Sequence, residues 1–248
     1  MCGIHAILSP GANPPREIPS ELQRCLINRG PDYLGYIERR VEQGANSDQP
    51  TWTLSFTSTV LALRGDHVAK QPLTDSESGS VLCWNGEAWR IGDNDHDHVV
   101  TGNDGEAILS LLMKASASSL SSQDNAASGE DDENEAVLDV FRSIQGPFAF
   151  VYYQKHTDTI FFARDRLGRR SLMVHVDDAG AVTLSSIAEA CDPSWKEVEA
   201  DGIYVLKLSK ETPSSLSFHQ QIVRRDWVKG GDQASDFVST SEILLHPS

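Results

Sequence analysis

Met1-Cys2-Gly3-Ile4-His5-Ala6-Ile7-Leu8 opens the chain with a cysteine at its second position. Removal of Met1 would leave Cys2 with its thiol and a free α-amine in one residue, a nucleophile and a base together. An α-amine has an ordinary pKa of about 7.7–8.0, so near neutrality part of it is unprotonated and can take the thiol proton, directly or through a water. That chemistry needs no histidine. The alternation from Cys2 to Leu8 puts Ile4, Ala6 and Leu8 on one face and His5 and Ile7 on the other, a short strand ended by Pro10. By position alone such a cysteine carries no function; it acquires one only if the rest of the chain supplies a binding site.

Outward from this strand, Gly11 to Pro19 reads as a surface loop and Ser20 as the N-cap of a helix with Leu22, Cys25 and Leu26. Arg29-Gly30-Pro31-Asp32 is a turn, and Tyr33 to Val41 a strand. Trp52, Leu54 and Phe56 alternate with Thr and Ser, then Val60 to Leu63 is continuously apolar, which predicts a strand over Thr51 to Leu63 buried on both faces in its second half. Val81 to Trp84 is a further strand, and Asn85-Gly86 reads as a tight hairpin turn. Helical spacing covers Glu106 to Met113, capped by Asn103 or Asp104, and Glu135 to Ile144. The polar, acidic stretch 116–134 between them reads as a disordered insertion. Phe148 to Tyr153, Ile160 to Ala163, Ser171 to Val176 and Val182 to Ser185 read as an antiparallel meander, followed by a strand from Ile203 to Leu208. Residues 211–248 read as an extension or the start of a linker, so the domain is expected over 2–210. The pattern is that of an α+β layered domain.

The net charge of −15 argues against nucleic acid or an anionic membrane surface as the main partner. Seven acids between Ala115 and Phe141, with no Lys or Arg among them, leave −8 for the rest, an ordinary figure for a soluble enzyme. No apolar run reaches the roughly 20 residues of a membrane span and no signal peptide is recognisable, which predicts a cytoplasmic protein. The four cysteines lie far apart, and Cys25, Cys83 and Cys191 are expected as reduced, buried or half-buried residues.

Several patterns bear on chemistry. No histidine carries the signature of a Cys/His pair, His96-x-His98 reads as part of a polar loop rather than a metal site, and no Gly-x-Gly-x-x-Gly follows a strand. Asn85-Gly86-Glu87 offers an Asn amide and a Gly backbone N–H, the two donors an oxyanion hole needs, or simply a turn. Arg64, after an apolar run, requires a carboxylate, from the protein or from a ligand. Asp104 is suited to holding an amine.

In chain order, Cys2-Gly3-Ile4, Arg29-Gly30-Pro31-Asp32, Arg64, Gln71-Pro72-Leu73, Asn85-Gly86-Glu87, Asn103-Asp104-Gly105-Glu106, Gly146-Pro147-Phe148-Ala149-Phe150 and Ala163 to Leu172 resemble the class II glutamine amidotransferase domain, in particular that of asparagine synthetases. Leu63-Arg64-Gly65 and Cys83-Trp84-Asn85-Gly86-Glu87 are more similar still to the asparagine synthetase domain-containing proteins, a divergent branch. The resemblance implies an N-terminal-nucleophile hydrolase fold, a four-layer αββα sandwich of two antiparallel sheets. It also implies hydrolysis of L-glutamine to glutamate and ammonia, with Cys2 as nucleophile and its α-amine as base. Asn85 and Gly86 would hold the oxyanion, Arg64 the substrate α-carboxylate, and Asp104 with Glu87 its α-amine. Arg29 to Asp32 and Arg164 to Arg170 would be structural or coupling elements. No metal or cofactor is implied for this domain; ATP and Mg would belong to a synthetase domain, in cis or trans, whose Ser-Gly-Gly-x-Asp-Ser loop this sequence does not contain. Ala88-Trp89-Arg90 and Gly65-Asp66-His67 depart from the asparagine synthetase pattern, the second in a loop expected to help hold the substrate. The alternatives are the glutaminase half of another amidotransferase, making phosphoribosylamine or glucosamine phosphate, and a non-catalytic pseudo-amidotransferase module.

Overall fold

Alternation of apolar and polar residues gives a strand two faces, and a sheet stable in water must cover at least the apolar one. The computed structural model describes residues 1–11, 17–42, 50–92, 98–121, 130–190, 192–208 and 222–229. Among these, one six-stranded sheet runs edge to edge through β13 (Lys196–Glu197), β11 (Met173–Val176), β12 (Val182–Ser185), β1 (Gly3–Pro10), β3 (Pro50–Val60) and β2 (Tyr33–Glu42). A second comprises β15 (Ile222–Arg225), β14 (Ile203–Lys207), β10 (Thr159–Arg164), β9 (Phe148–Gln154), β5 (Val81–Gly86) and β4 (Leu73–Thr74). A small third sheet joins β7 (His98–Val99), β6 (Arg90–Ile91) and β8 (Ile144–Gln145). Pairing within all three is antiparallel.

The two large sheets face each other. Ile4, Ala6 and Leu8 of β1, with Leu54 and Phe56 of β3, meet Val151, Tyr153, Phe162 and Leu206 of the second sheet in one core. Phe56 and Tyr153 stack across it with ring centroids 6.1 Å apart. The outer face of the second sheet, with Leu82, Trp84, Phe150 and Phe161, is covered by α2 (Asp104–Ser121) and α3 (Glu130–Arg142) through Ile108, Leu112, Val137 and Phe141. Helix α1 (Ser20–Arg29) lies on β1 and β3, turning Leu22 and Leu26 inward, while Thr59 Oγ1 donates to Leu26 O at 2.7 Å. The expected four-layer αββα sandwich is therefore present.

The structure corrects several details of the sequence expectation. Strand β3 stops at Val60, and Leu63, expected inside, is exposed. Asp32 causes the break: its N–H donates to Val60 O at 3.0 Å, and its Oδ2 accepts from Ala62 N–H at 2.8 Å. Asn85-Gly86 ends β5 rather than forming a hairpin turn, because both residues pair with β9. The expected meander is divided: β9 pairs with β10 in the second sheet, β11 with β12 in the first. Ser20 is the first helical residue and Pro19 occupies the cap position, whereas Asn103 caps α2, its Oδ1 accepting from Glu106 N–H at 3.1 Å.

The segment 116–134 is helical at both ends and only 122–129 lies outside the described residues. Ser116 belongs to α2 because its hydroxyl donates to Leu112 O and accepts from Gln154 Nε2 of β9. Residues 130–133 form the start of α3. The domain also extends past 210. Strand β15 pairs with β14, Ile222 enters the inter-sheet core, and Trp227 is buried with its Nε1–H donating to Ala200 O at 3.0 Å. Residues 209–221 and 230–248 lie outside the described residues. Cys83 is in the core, where burial pushes its thiol up to about 12; Cys25 is half-buried, and Cys191 lies outside the described residues. No helix among the described residues is long and apolar enough to cross a membrane.

Trp227 distinguishes an integral strand from a linker. Trp227→Ala is expected to cost about 3 kcal/mol or more, read as a lower denaturant midpoint; a linker residue would leave the midpoint unchanged.

Candidate active site

Cys2 stands at the start of β1, the strand held between β12 and β3. Ile4 N–H donates to Ser186 Oγ at 3.0 Å and Ser186 N–H returns a bond to Ile4 O at 2.8 Å, so the strand's first residues have a fixed place. Arg29 Nε donates to the carbonyl of Cys2 at 3.3 Å. Gly30 passes so close to β3 that a Cβ would lie 2.4 Å from the Thr59 carbonyl carbon, which excludes any side chain there. The turn Arg29 to Asp32 thus fastens Cys2 on one side and, through Asp32, the loop after β3 on the other.

That loop forms one wall of a small cleft, which has room for about 50 Å3 with Met1 in place. All six residues expected from the resemblance, Cys2, Arg64, Asn85, Gly86, Glu87 and Asp104, line it. Cys2 Sγ lies 3.8 Å from Leu61 O. Burial pushes the thiol above its ordinary value and the charge of Asp104 adds to the rise, while the N-terminal ammonium and Arg29 pull the other way. The thiol is therefore protonated at neutral pH and needs a base to become a nucleophile.

Asn85 is 1 % exposed and its Nδ2 has no hydrogen-bond partner among the described residues. A buried amide donor without an acceptor is uncommon, and a cleft beside a thiol is where an anionic intermediate would use one. Gly86 packs against Trp84 and Phe148, whose rings stack, and a Cβ there would lie 2.7 Å from the Trp84 ring and from the Phe148 Cβ. Arg29 Nη2 and Arg170 Nε are also buried without partners among the described residues. Three such donors thus lie on residues that line the cleft or bond Cys2.

Asp104 is buried, and its Oδ2 accepts from Trp84 Nε1–H at 2.9 Å and Ala88 N–H at 2.8 Å. Arg64 donates from Nη1 to Ala88 O and from Nη2 to Val100 O, both at 2.7 Å. These two bonds orient the guanidinium and leave three of its five N–H groups for a ligand. Glu87 donates its N–H to Pro147 O at 2.9 Å, and its carboxylate lies 3.8 Å from Arg170 Nη2.

Gly65-Asp66-His67 is a tethered segment. Gly65 has φ +87, and His67 bonds Asp66 Oδ1 at 2.8 Å and Glu106 Oε1 of α2 at 2.9 Å. The two carboxylates push the imidazole up to about 9. The cleft also uses residues whose roles were not assigned from the sequence. Gln71 Oε1 accepts from Trp84 N–H at 2.8 Å, Leu61 supplies the carbonyl beside Sγ, and Arg170 reaches Met1 Sδ at 3.1 Å. Gln71 and Trp84 stood inside quoted motifs, the signal that could have marked them; Leu61 has none.

Most of the Arg164 to Arg170 segment is structural. Arg164 bonds Arg170 O at 2.7 Å, Val198 O at 3.1 Å and Gly168 O. Asp165, 2 % exposed, accepts from the N–H groups of Phe148, Leu167 and Arg169 and from Arg169 Nε at 2.9–3.1 Å. Among the described residues no group of three or more His, Cys, Asp or Glu is placed to hold a metal ion; His96 of the His96-x-His98 pair lies outside them.

Residues 58–192 match the glutamine amidotransferase domain family. The chain is 30% identical to asparagine synthetase domain-containing protein 1 of Bos taurus, over 97% of this chain and 34% of that protein. It is 27% identical to the glutamine-hydrolysing asparagine synthetase B of Escherichia coli, over 80% of this chain and 31% of that protein. The chain thus spans about a third of the length of the curated relatives it matches. Among solved structures, an allosteric regulatory enzyme of purine biosynthesis superposes with a TM-score of 0.54 at 15% identity, covering 92% of this chain and 49% of that one.

Asp165→Ala would remove the acceptor shared by the buried Phe148 N–H, the Leu167 and Arg169 N–H groups and Arg169 Nε, leaving the Arg169 guanidinium only its bond to Gly146 O. It is expected to destabilise the protein by about 3 kcal/mol or more in denaturant unfolding; a change below about 1 kcal/mol would show that the carboxylate does not organise this segment.

Proposed function

The chain belongs to the glutamine amidotransferase domain family, and on that premise we propose that it is the glutamine-hydrolysing half of an asparagine synthetase-like protein. The observation that carries this reading is the unpaired Nδ2 of buried Asn85 in the same cleft as Cys2. Once Met1 is removed, the Cys2 thiol gives its proton to its own α-amine while sulfur bonds the carboxamide carbon of glutamine. The carbonyl oxygen becomes an oxyanion that accepts from Asn85 Nδ2 and Gly86 N–H. Collapse breaks the C–N bond, and ammonia leaves with the proton the amine held. Water then cleaves the γ-glutamyl thioester to glutamate and restores the thiol.

Arg64 takes the α-carboxylate of glutamine with its remaining donors. Asp104, oriented by Trp84 and Ala88, takes the α-amine with the Glu87 backbone beside it. Ammonia passes to a synthetase domain, in cis or trans, where ATP and Mg activate the acceptor for asparagine synthesis. On this reading the protein acts in the cytoplasm. A rival reading, a non-catalytic interaction module that keeps the fold without the glutamine site, is favoured by one observation: the Arg64 guanidinium already serves two backbone carbonyls.

Cys2→Ala is expected to abolish glutamate release while retaining glutamine binding in calorimetry; release by this variant refutes the thioester route. Absence of binding at millimolar glutamine would favour the rival reading. Asn85→Ala should lower kcat by about 10²–10³ with KM changed much less. Because the base must be unprotonated, kcat/KM should fall as pH drops through about 7.7–8.0, and protein whose intact mass retains Met1 should be inactive.

A further inference from the structure

The wall of the Cys2 cleft that carries Arg64 is a loop without regular structure. Among the described residues, 63–70 make no backbone–backbone hydrogen bond. Side chains hold the loop instead. Asp32 takes the Ala62 amide at its start, and the Arg64 guanidinium reaches Ala88 O and Val100 O. Gly65, at φ +87, then runs against the turn before α2, where a Cβ on it would lie 3.6 Å from Asn103 N.

His67 makes the next attachment. The two carboxylates push its ring up to about 9, so at neutral pH it is protonated and both nitrogens donate. Nδ1–H bonds Asp66 Oδ1 at 2.8 Å and Nε2–H bonds Glu106 Oε1 at 2.9 Å. Glu106 is itself fixed, in the first turn of α2 with its N–H held by the Asn103 cap. Neither His67 nor Glu106 lines the cleft, so the bridge acts on it from outside.

We infer that His67 is a positioning residue: its bridge to Glu106 holds the Arg64 loop against the start of α2 and thereby sets the spacing between Arg64 and Asp104. This rests on the glutamine-hydrolysing reading above, in which those two side chains receive the α-carboxylate and the α-amine. The two receptors are joined once already through Ala88, whose O accepts from Arg64 Nη1 at 2.7 Å and whose N–H donates to Asp104 Oδ2 at 2.8 Å. That link fixes the guanidinium. The His67 bridge fixes the loop backbone, which also brings Leu63 and Ala69 into the wall. The reacting end of the cleft is held separately, Cys2 at the head of β1 and Asn85 with Gly86 in β5. The bridge therefore governs binding of the amino-acid end of glutamine rather than bond breaking.

The full chain with Met1 removed, checked by intact mass, is assayed for glutamate release against glutamine concentration. His67→Ala and Glu106→Ala should each raise KM by about fivefold, the scale of a half-exposed charged pair, with kcat held within about twofold. The double variant should be no worse than either single one, because both remove the same contact. His67→Gln, which keeps an N–H donor for Glu106, should restore KM to within about twofold of the wild type. Calorimetry on Cys2→Ala carrying the same changes should show the matching loss of glutamine affinity, which separates binding from turnover. With a wild type that is active or binds glutamine, three results overturn the inference and leave the glutaminase reading standing: glutamine KM and affinity unchanged in both Ala variants, effects that add in the double variant, or kcat falling while KM stays constant. A wild type that neither hydrolyses nor binds glutamine overturns that reading, and this inference with it.

Discussion

The cleft depends on the way β1 is clamped. Its register is set on both edges, by β12 through His5 to Leu8 and by β3 through Gly3 to Pro10. The reciprocal bonds between Ile4 and Ser186 and the Arg29 bond to the Cys2 carbonyl then fix the first residues of the chain. A terminal segment is normally the least ordered part of a domain. Here the first residues are built into a central strand, so a thiol at the second position has a definite environment.

From that anchor the cleft is assembled by elements that each end at its wall. Strand β3 stops at Val60 because Asp32 takes the Val60 carbonyl and the Ala62 amide, and Leu61 and Arg64 stand in the wall. Strand β5 ends at Gly86 beside the Trp84–Phe148 stack, which places Asn85 opposite. Helix α2 begins at Asp104, capped by Asn103, and the carboxylate is turned to Trp84 and Ala88.

The polar side chains around Cys2 fall into two kinds. Asp165, Arg164 and Asp104 are bonded into their surroundings and hold loops in place. Asn85 Nδ2, Arg29 Nη2 and Arg170 Nε are buried and unpaired among the described residues. Such groups lower stability unless something else in the working protein meets them. The departure Gly65-Asp66-His67 belongs to the first kind, since His67 ties the Arg64 loop to the first turn of α2.

Much of this was determined by local sequence. The alternation in Met1 to Leu8 set which side chains of β1 face the inter-sheet core. The ordered motifs named the six residues that the structure gathers in one cleft, although they lie up to 102 positions apart, from Cys2 to Asp104. Tertiary structure alone decided the rest. Periodicity reports which face of a strand is buried, and says nothing about which sheet it joins, so the division of β9–β10 from β11–β12 was not legible. Strand β15 and Trp227 were missed because Ile222 to Arg225 is short and ends in two arginines, with burial supplied by β14, Ala200 and Arg142. The start of the expected insertion is held in helix where Ser116 bonds Gln154, a contact across 38 residues. That buried Asn85 Nδ2 has no partner among the described residues is invisible in sequence because pairing is a property of the packed surroundings.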